Sequence, residues 1–268
     1  MDGVDLVVTD LDGTFWPTQD AVHPDAARAL AEVLSRDVPL LVATGRRVTS
    51  TRLPLMRLGA APPAVVLNGA LGLDLDTRER FHRAPFDPVE AEKVLGVFRS
   101  VDLDPCIYVD DHRAEVLLSA TPSTHPGHVE SLGATAAVVD LASAIFETTA
   151  LGFGIIGADH DALVAAVEAL AGLAEVHLDR AFDYPGSAMT VAPLGQSKWD
   201  GVVAYCSTRD LDPSRVLALA DGPNDIELLT NAAIRLVPET GCSRALELAD
   251  YVIPPADQGG WSAILDFL

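Results

Sequence analysis

The chain has few of the residues that would place it in a disulfide-rich or membrane-spanning class. Its 268 residues include only 3 cysteines and 6% aromatic residues. The cysteines, Cys106, Cys206 and Cys242, are odd in number and far apart, so they indicate neither a disulfide framework nor a metal-ligand motif. No apolar run approaches the roughly 18 residues of a membrane span, and no basic segment typical of a secretory signal begins the sequence. We therefore expect a cytoplasmic protein with reduced cysteines.

Basic residues are also scarce, which gives the chain a strongly acidic balance. It carries 39 acidic and 18 basic residues, a net charge of -21, and only 2 of the basic residues are lysines. Such a charge repels nucleic acid and anionic membrane surfaces, which bind basic surfaces. A phosphorylated small molecule would be repelled too, unless a metal ion or a local cation reverses the field. The composition therefore excludes nucleic acid and membranes as expected partners.

Apolar segments of strand length alternate with helical segments at both ends of the chain. Strands are predicted at residues 4–9, 38–43, 64–67, 215–220, 233–237 and 251–253, and helices at 24–36, 49–58, 224–232 and 243–249. Near-continuous apolar strands separated by helices are typical of a parallel sheet that is covered on both faces. The predicted fold class is therefore α/β, with a Rossmann-like, doubly wound parallel sheet as the core.

The middle of the chain does not follow this alternation of apolar strands and helices. Asp87 and Pro88 are typical of a helix N-terminus, and a hairpin, another helix and more strands follow. This pattern predicts an inserted α+β cap domain at residues 83–189, between core segments 1–82 and 190–268. His125 and His128 lie in a segment rich in proline, serine and threonine, so a polar loop without a metal is predicted there.

Polar residues follow three of the predicted core strands. They are Asp10 and Asp12, then Thr44, Gly45 and Arg46, and finally Asp221, Asn224 and Asp225. Ligands of open α/β sheets bind beyond the carboxyl ends of the strands, so these residues should converge. Several carboxylates at one edge repel one another unless a hard cation lies among them, and Mg²⁺ binds carboxylates, water and phosphate oxygens. The acidic residues therefore predict a magnesium site.

Four short motifs, in this order, resemble those of the haloacid dehalogenase superfamily. They are DLDGT (10–14), ATGR (43–46), GQSK (195–198) and ADGPND (220–225). The segment 65–85 also resembles the Cof-like sugar-phosphatase subgroup, which has a large α/β cap. A single match to such a motif is weak evidence for the superfamily, but four matches in order on matching elements are specific to it. The resemblance implies a Mg²⁺-dependent phosphomonoesterase that acts on a small phosphorylated metabolite, and a phosphosugar within that class.

The resemblance also implies a role for each motif residue. Asp10 is the predicted nucleophile that forms an aspartyl-phosphate, and Asp12 is the predicted acid and base. Lys198, one of only two lysines, is predicted to neutralise phosphate charge and to hold Asp10. The expected Mg²⁺ ligands are the Asp10 carboxylate, the Asp12 carbonyl and the Asp221 carboxylate. Asp225 is expected to orient that shell.

Further residues are candidates for binding phosphate or substrate. Thr44 and Gly45, at a predicted helix N-terminus, and Asn224 are expected to bind the phosphoryl group. The candidate substrate contacts are Trp16, Arg46 and Asn68. Each has a structural alternative: the Trp16 ring could pack at the cap hinge, Arg46 could pair with acids, and Asn68 could cap a turn.

Two other functions fit the same residues. One is a phosphotransferase or phosphomutase of the superfamily, in which the aspartyl-phosphate passes to a sugar hydroxyl. The other is a non-catalytic regulatory protein that binds a phosphorylated metabolite. An Asp10→Asn exchange separates an enzyme, which loses turnover, from a binding protein, which keeps its affinity.

Overall fold

The computed structural model describes residues 3–17, 21–36, 38–181 and 183–268. The chain divides into two units, of which the first comprises residues 1–83 and 197–268 and the second residues 84–196. None of the helices in the described ranges is long and apolar enough to cross a membrane.

The first segment of the first unit alternates strands and helices before it ends in two further strands. The elements are β1 (Leu6–Thr9), α1 (Pro24–Leu34), β2 (Leu40–Ala43), α2 (Val48–Arg57), β3 (Pro63–Val66), β4 (Leu71–Asp74) and β5 (Arg80–Arg83). All four residues of β1 and of β2 are buried, as expected for strands covered on both faces. The predicted alternation is confirmed here, whereas β4 and β5 were not predicted as strands.

The second unit contains a six-stranded sheet with helices. Its elements are α3 (Pro88–Ser100), β6 (Cys106–Val109), β7 (Val116–Leu118), α4 (Pro126–Leu132), β8 (Ala136–Val138), α5 (Leu141–Glu147), β9 (Ala150–Ala158), α6 (His160–Leu170), β10 (Ala174–Arg180) and β11 (Ser187–Pro193). The strand order is β10-β11-β9-β6-β7-β8. Only the β7–β8 pair among these is parallel. Asp87 caps α3 by accepting the backbone N–H of Val89 at 2.9 Å, as the sequence predicted.

The structure corrects the sequence-based description at two places in the second unit. His125 does not lie in an open loop, because α4 begins at Pro126 and the His125 Nδ1 atom accepts the backbone N–H of Gly127 at 3.1 Å. A proline at the first helical position starts a helix rather than preventing one. The predicted boundary between residues 189 and 190 falls inside β11, which pairs with both β10 and β9, so residues 190–196 belong to the second unit.

The last segment returns to the first unit and completes its sheet. Its elements are α7 (Lys198–Arg209), β12 (Val216–Leu219), α8 (Ile226–Asn231), β13 (Ile234–Pro238), α9 (Ser243–Leu248) and β14 (Tyr251–Ile253), and a 3-10 segment, Gly260–Phe267, follows. The sheet order is β14-β13-β12-β1-β2-β3-β4-β5. The strands from β14 to β3 are parallel, and β4 and β5 add an antiparallel edge. The predicted α/β class is confirmed, and the strand order changes direction at β1, where ligands bind in such sheets.

His82 is a titratable side chain inside the edge strand β5. Burial lowers the pKa of His82 from its usual value of 6.5, although the Gly69 carbonyl and the negative charge of Asp200 oppose that shift. Its Nε2 atom is buried and has no hydrogen-bond partner among the described residues. The folded protein therefore resists protonation of His82 more than the unfolded chain does.

We expect His82 to make the protein less stable in mild acid. Because the unfolded chain takes up this proton more readily, the contribution of His82 to the free energy of unfolding falls as the pH drops through about 6.5. The raised pKa values of Asp10 and Asp221 act in the opposite direction, so the test compares variants. Urea unfolding at about pH 7.5 and pH 5.5 should show that the free energy of unfolding of His82→Gln, relative to that of the wild type, is higher at pH 5.5 than at pH 7.5. His112→Gln is the control, because the His112 side chain is 89% exposed. Equal slopes in the wild type and His82→Gln would contradict the expectation.

Candidate active site

Asp10 and Lys198 form a buried ion pair at the carboxyl end of β1. The Asp10 backbone N–H donates to the Leu219 carbonyl at 2.9 Å, which continues the pairing with β12. The Lys198 Nζ atom donates to Asp10 Oδ1 at 2.8 Å and to Asp225 Oδ1 at 2.6 Å. Lys198 is 1% exposed, Asp10 5% and Asp225 fully buried. One ammonium group therefore bridges two buried carboxylates that come from different ends of the sequence.

Burial and the surrounding charges decide which groups are ionised. Burial alone would lower the pKa of Lys198, but the carboxylates of Asp10 and Asp225 outweigh it, so the pKa is raised and the ammonium keeps its proton. Burial raises the pKa of Asp10 well above its usual range, and the negative charge of Asp225 adds to that effect against the attraction of Lys198. Lys198 therefore stays positively charged, but its single charge does not offset the charges of both neighbouring carboxylates.

Asp221 approaches the same loop from the end of β12. The Thr14 hydroxyl donates to Asp221 Oδ1 at 2.5 Å. Gly13 has a φ of 82°, and a Cβ atom there would overlap the Asp221 carboxylate, so only glycine allows this approach. Burial, followed by the negative charge of Asp225, raises the pKa of Asp221 to about 7. The motif glycine is thus required both for the turn and for the position of Asp221.

The carboxylates are arranged as a hard cation would require. Oxygen atoms of Asp10, Asp221 and Asp225 all lie within 4.8 Å of one another. Four carboxylates and two cationic side chains meet at this edge, so the site has an excess of two negative charges when all four carboxylates are ionised. A divalent cation with oxygen ligands fits that donor set and that charge. The two Asp225 oxygens already accept hydrogen bonds, from Lys198 and from the Gly222 N–H.

Asp12 is held by a guanidinium group and an indole ring. The Arg46 Nε atom donates to Asp12 Oδ2 at 2.5 Å, and Arg46 Nη2 donates to Asp12 Oδ1 at 2.6 Å. The Trp16 Nε1–H donates to Asp12 Oδ1 at 2.9 Å, and the Arg46 guanidinium carbon lies 5.5 Å from the centre of the Trp16 ring. In this state both oxygens of Asp12 accept hydrogen bonds from a cation.

Thr44, Gly45 and two asparagines form a second group of contacts, at the ends of β2, β3 and β12. The Asn224 Nδ2 atom donates to Asn68 Oδ1 at 2.9 Å, and a Cβ atom on Gly45 would lie 2.9 Å from the same oxygen. The Thr44 hydroxyl accepts the backbone N–H of Arg46 at 3.2 Å. Gly45 does not open the helix as predicted, because α2 begins three residues later. The backbone turn after β2, rather than a helix terminus, therefore faces the asparagine pair.

Asn68 is positioned by an unusual backbone. Leu67 and Asn68 both have a φ of 53°, in the left-handed region that costs free energy for residues other than glycine. The Leu67 N–H donates to the Arg46 carbonyl at 3.0 Å, and the Asn68 N–H donates to the Thr44 carbonyl at 3.2 Å. These two bonds fix the turn after β3 to the backbone that follows β2.

Four contributors to the site were not singled out from the sequence. Gly13 and Thr14 belong to the first motif, so their spacing from Asp10 was the available signal. Thr9, the last residue of β1, donates its hydroxyl hydrogen to the Asp10 carbonyl at 2.7 Å. Trp261 donates its Nε1–H to the Thr9 hydroxyl at 2.8 Å. Because Trp261 is 252 residues away from Thr9, nothing in the local sequence indicated it.

A parallel sheet with a lysine and several carboxylates at its switch point suits metal-assisted hydrolysis at an anionic centre. The model of the haloacid dehalogenase-like hydrolase family matches residues 7–265, so the chain belongs to this family. The resemblance to Cof-like phosphatases of the superfamily is confirmed, and the chain is an enzyme of the phosphatase class.

Three curated relatives are about one quarter identical to the chain over the aligned residues. A phosphoglycolate phosphatase of Methanopyrus kandleri is 25% identical over 260 residues, which cover 97% of this chain and 95% of the relative. An HMP-PP phosphatase of Citrobacter koseri is 26% identical over 239 residues, 87% of this chain and 83% of the relative. A chloroplastic endoribonuclease YBEY of Arabidopsis thaliana is 25% identical over 285 residues, and the match spans 44% of its length.

Solved structures share the fold at lower identity. A haloacid dehalogenase-like hydrolase from B. subtilis has a TM-score of 0.81 at 16% identity, covering 98% of this chain and 99% of the other. A HAD subclass IIB sugar phosphatase has a TM-score of 0.76 at 18% identity, covering 98% of both chains. These likenesses support the same α/β fold.

Proposed function

We propose that this phosphatase is a Mg²⁺-dependent phosphomonoesterase that hydrolyses a small phosphosugar through an aspartyl-phosphate on Asp10. The observation that carries the proposal is the Lys198 ammonium between Asp10 and Asp225, with an Asp221 oxygen within 4.8 Å of theirs. A carboxylate that is fixed by a buried cation and surrounded by metal-binding oxygens is suited to attack phosphorus.

In the first half of the reaction, an Asp10 oxygen forms a bond to phosphorus while the ester P–O bond breaks. Asp12 gives its proton to the departing alcohol oxygen. In the second half, Asp12 takes a proton from water, whose oxygen attacks the phosphorus of the intermediate. The P–O bond to Asp10 then breaks, which releases inorganic phosphate and restores both carboxyl groups.

The remaining residues hold the phosphoryl group and the metal. Lys198, Thr44, the backbone of Gly45 and Asn224 bind the phosphoryl oxygens. The Mg²⁺ ligands are the Asp10 and Asp221 carboxylates and the Asp12 carbonyl, and Asp225 orients this shell. When bound, Mg²⁺ would offset the negative charge of the carboxylates and so reduce their repulsion of the substrate phosphate. The excess of two negative charges that the site carries when all four carboxylates are ionised supports this part of the proposal.

The substrate class follows from the Cof-like resemblance and from a sugar phosphatase among the structural neighbours. We propose that the inserted unit acts as the cap domain that reads the leaving group, and that the enzyme works in the cytoplasm. Arg46 and Asn68 are the proposed substrate contacts in the first unit. Trp16, the third residue predicted to contact substrate, is fully buried and donates to Asp12, so it is not proposed as a contact.

The test is phosphate release from phosphosugars, phosphoglycolate, nucleotides and 4-nitrophenyl phosphate, with Mg²⁺ and with a chelator. We expect release with Mg²⁺ and at least a roughly hundredfold loss on chelation, because the carboxylates then repel the phosphate. The Asp10→Asn protein, purified in the same way, controls for contaminating phosphatases. A phosphosugar as the best substrate supports the substrate class, whereas no release from any compound would reject the proposed activity.

A further inference from the structure

Two of the three tryptophans flank the loop that carries Asp10 and Asp12. The ring of Phe15 contacts Trp16 edge to face at a centroid distance of 5.4 Å and contacts Trp261 in the same way at 5.0 Å. All three side chains are at most 1% exposed. Only 6% of the residues are aromatic, so three buried aromatic rings in contact beside one loop are an unusual local concentration.

Each indole N–H in this aromatic group donates a hydrogen bond to a residue of the loop or to a residue next to it. The Trp16 Nε1–H donates to Asp12 Oδ1 at 2.9 Å. The Trp261 Nε1–H donates to the Thr9 hydroxyl, which in turn donates to the Asp10 carbonyl. Trp16 therefore acts on the Asp12 side chain, whereas Trp261 acts on the main chain at Asp10.

The donor chemistry of Trp16 distinguishes the two oxygens of Asp12. A protonated carboxyl has one carbonyl oxygen and one hydroxyl, and an indole N–H can only donate. The carbonyl oxygen is the stronger acceptor, so the bond from Trp16 favours Oδ1 as the carbonyl oxygen and Oδ2 as the oxygen that carries the proton. The Arg46 Nε atom donates to Oδ2, and that bond weakens when Oδ2 becomes a hydroxyl.

We propose that Trp16 is a positioning residue that fixes the orientation of the Asp12 carboxyl, so that Oδ2 presents the proton to the leaving oxygen. This inference rests on the proposed function, because it assigns Trp16 to the proton-transfer step of that reaction. The effect of Trp16 depends on how much the leaving group needs a proton. 4-Nitrophenolate leaves readily without being protonated. The benzyl alkoxide, which is of similar size, is a poor leaving group and needs a proton.

The test compares kcat/KM for 4-nitrophenyl phosphate and benzyl phosphate in the wild type and Trp16→Phe. The quantity kcat/KM includes the step in which the alcohol departs. Loss of a hydrogen bond to a charged acceptor corresponds to a decrease of about tenfold to a hundredfold in kcat/KM. We expect Trp16→Phe to lose about that factor with benzyl phosphate and less than about twofold with 4-nitrophenyl phosphate.

Trp261→Phe is the matched control, since it removes the same N–H from the other end of the aromatic group. Its acceptor is Thr9, so any loss should be the same for both esters. A benzothienylalanine at position 16 keeps the bicyclic ring without the N–H, and it should reproduce the leaving-group dependence even if Trp16→Phe folds poorly. In an Asp12→Asn background, Trp16→Phe should cost nothing further with benzyl phosphate.

The outcomes separate this inference from the proposed function. Equal losses for the two esters, or no loss in either Trp16 variant, would overturn the positioning role while leaving the phosphatase intact. If the wild type hydrolyses no phosphate ester with Mg²⁺, the proposed function fails and this inference fails with it.

Discussion

The Asp10→Asn protein is expected to lose phosphatase turnover by about a thousandfold or more. The amide keeps the size of the side chain and its contact with Lys198, but its oxygen cannot form the aspartyl-phosphate. Steady-state phosphate release with Mg²⁺, using the best substrate of the panel, measures the loss. The affinity for that substrate, measured by calorimetry, should remain within about tenfold of the wild-type KM.

Loss of turnover in Asp10→Asn must be separated from loss of folding. Burial raises the pKa of Asp10, so the native site opposes its negative charge when no metal is bound. Replacing the carboxylate by a neutral amide should therefore leave the free energy of unfolding in metal-free buffer unchanged or increased. If the variant retains turnover above about one tenth of the wild type, Asp10 is not the nucleophile.

Removal of the Lys198 charge should have the second largest effect. In Lys198→Met, the buried carboxylates of Asp10 and Asp225 lose the ammonium that bridges them. Breaking a buried ion pair by removing one partner costs about 3–5 kcal/mol. We expect the free energy of unfolding to fall by about that amount in urea titrations without metal, and turnover to fall at least about a hundredfold.

The chain offers its own control for this exchange. Lys93, the only other lysine, is exposed on α3, so Lys93→Met should change the free energy of unfolding by less than about 0.5 kcal/mol. Adding Asp225→Asn to Lys198→Met removes one of the stranded carboxylates and should restore part of the stability. A Lys198→Met protein as stable as Lys93→Met would show that the ion pair does not stabilise the fold.

Much of the fold could be predicted because its signals are local. The apolar runs of β1, β2 and β12 and the Asp87-Pro88 start of α3 need only neighbouring residues to be recognised. The strand β5 was missed because its sequence, Arg80–Arg83, has no apolar alternation and its position at the sheet edge leaves it partly exposed. The end of the second unit was misplaced by several residues because the length of β11 is decided by pairing with β9 and β10.

The candidate site was partly predictable for a related reason. Residues that follow strands of one parallel sheet meet at one edge, so the approach of Asp10, Asp221 and Asp225 followed from their order in the chain. The partners of Asp12 did not follow from it. The bidentate contact with Arg46 depends on the path of the backbone after β2, and no motif indicates how an arginine side chain will lie. Metal binding and the residue roles stay predictions.

The scarcity and placement of the lysines also determine how the protein can be attached to a surface or a dye. Amine-reactive reagents modify exposed lysines, and Lys198 is enclosed at 1% exposure while Lys93 is exposed. Apart from the terminal amine, coupling should therefore occur at one point on α3 of the second unit. A sensor chip or a fluorophore could be attached there without a chemical change to any residue of the candidate active site.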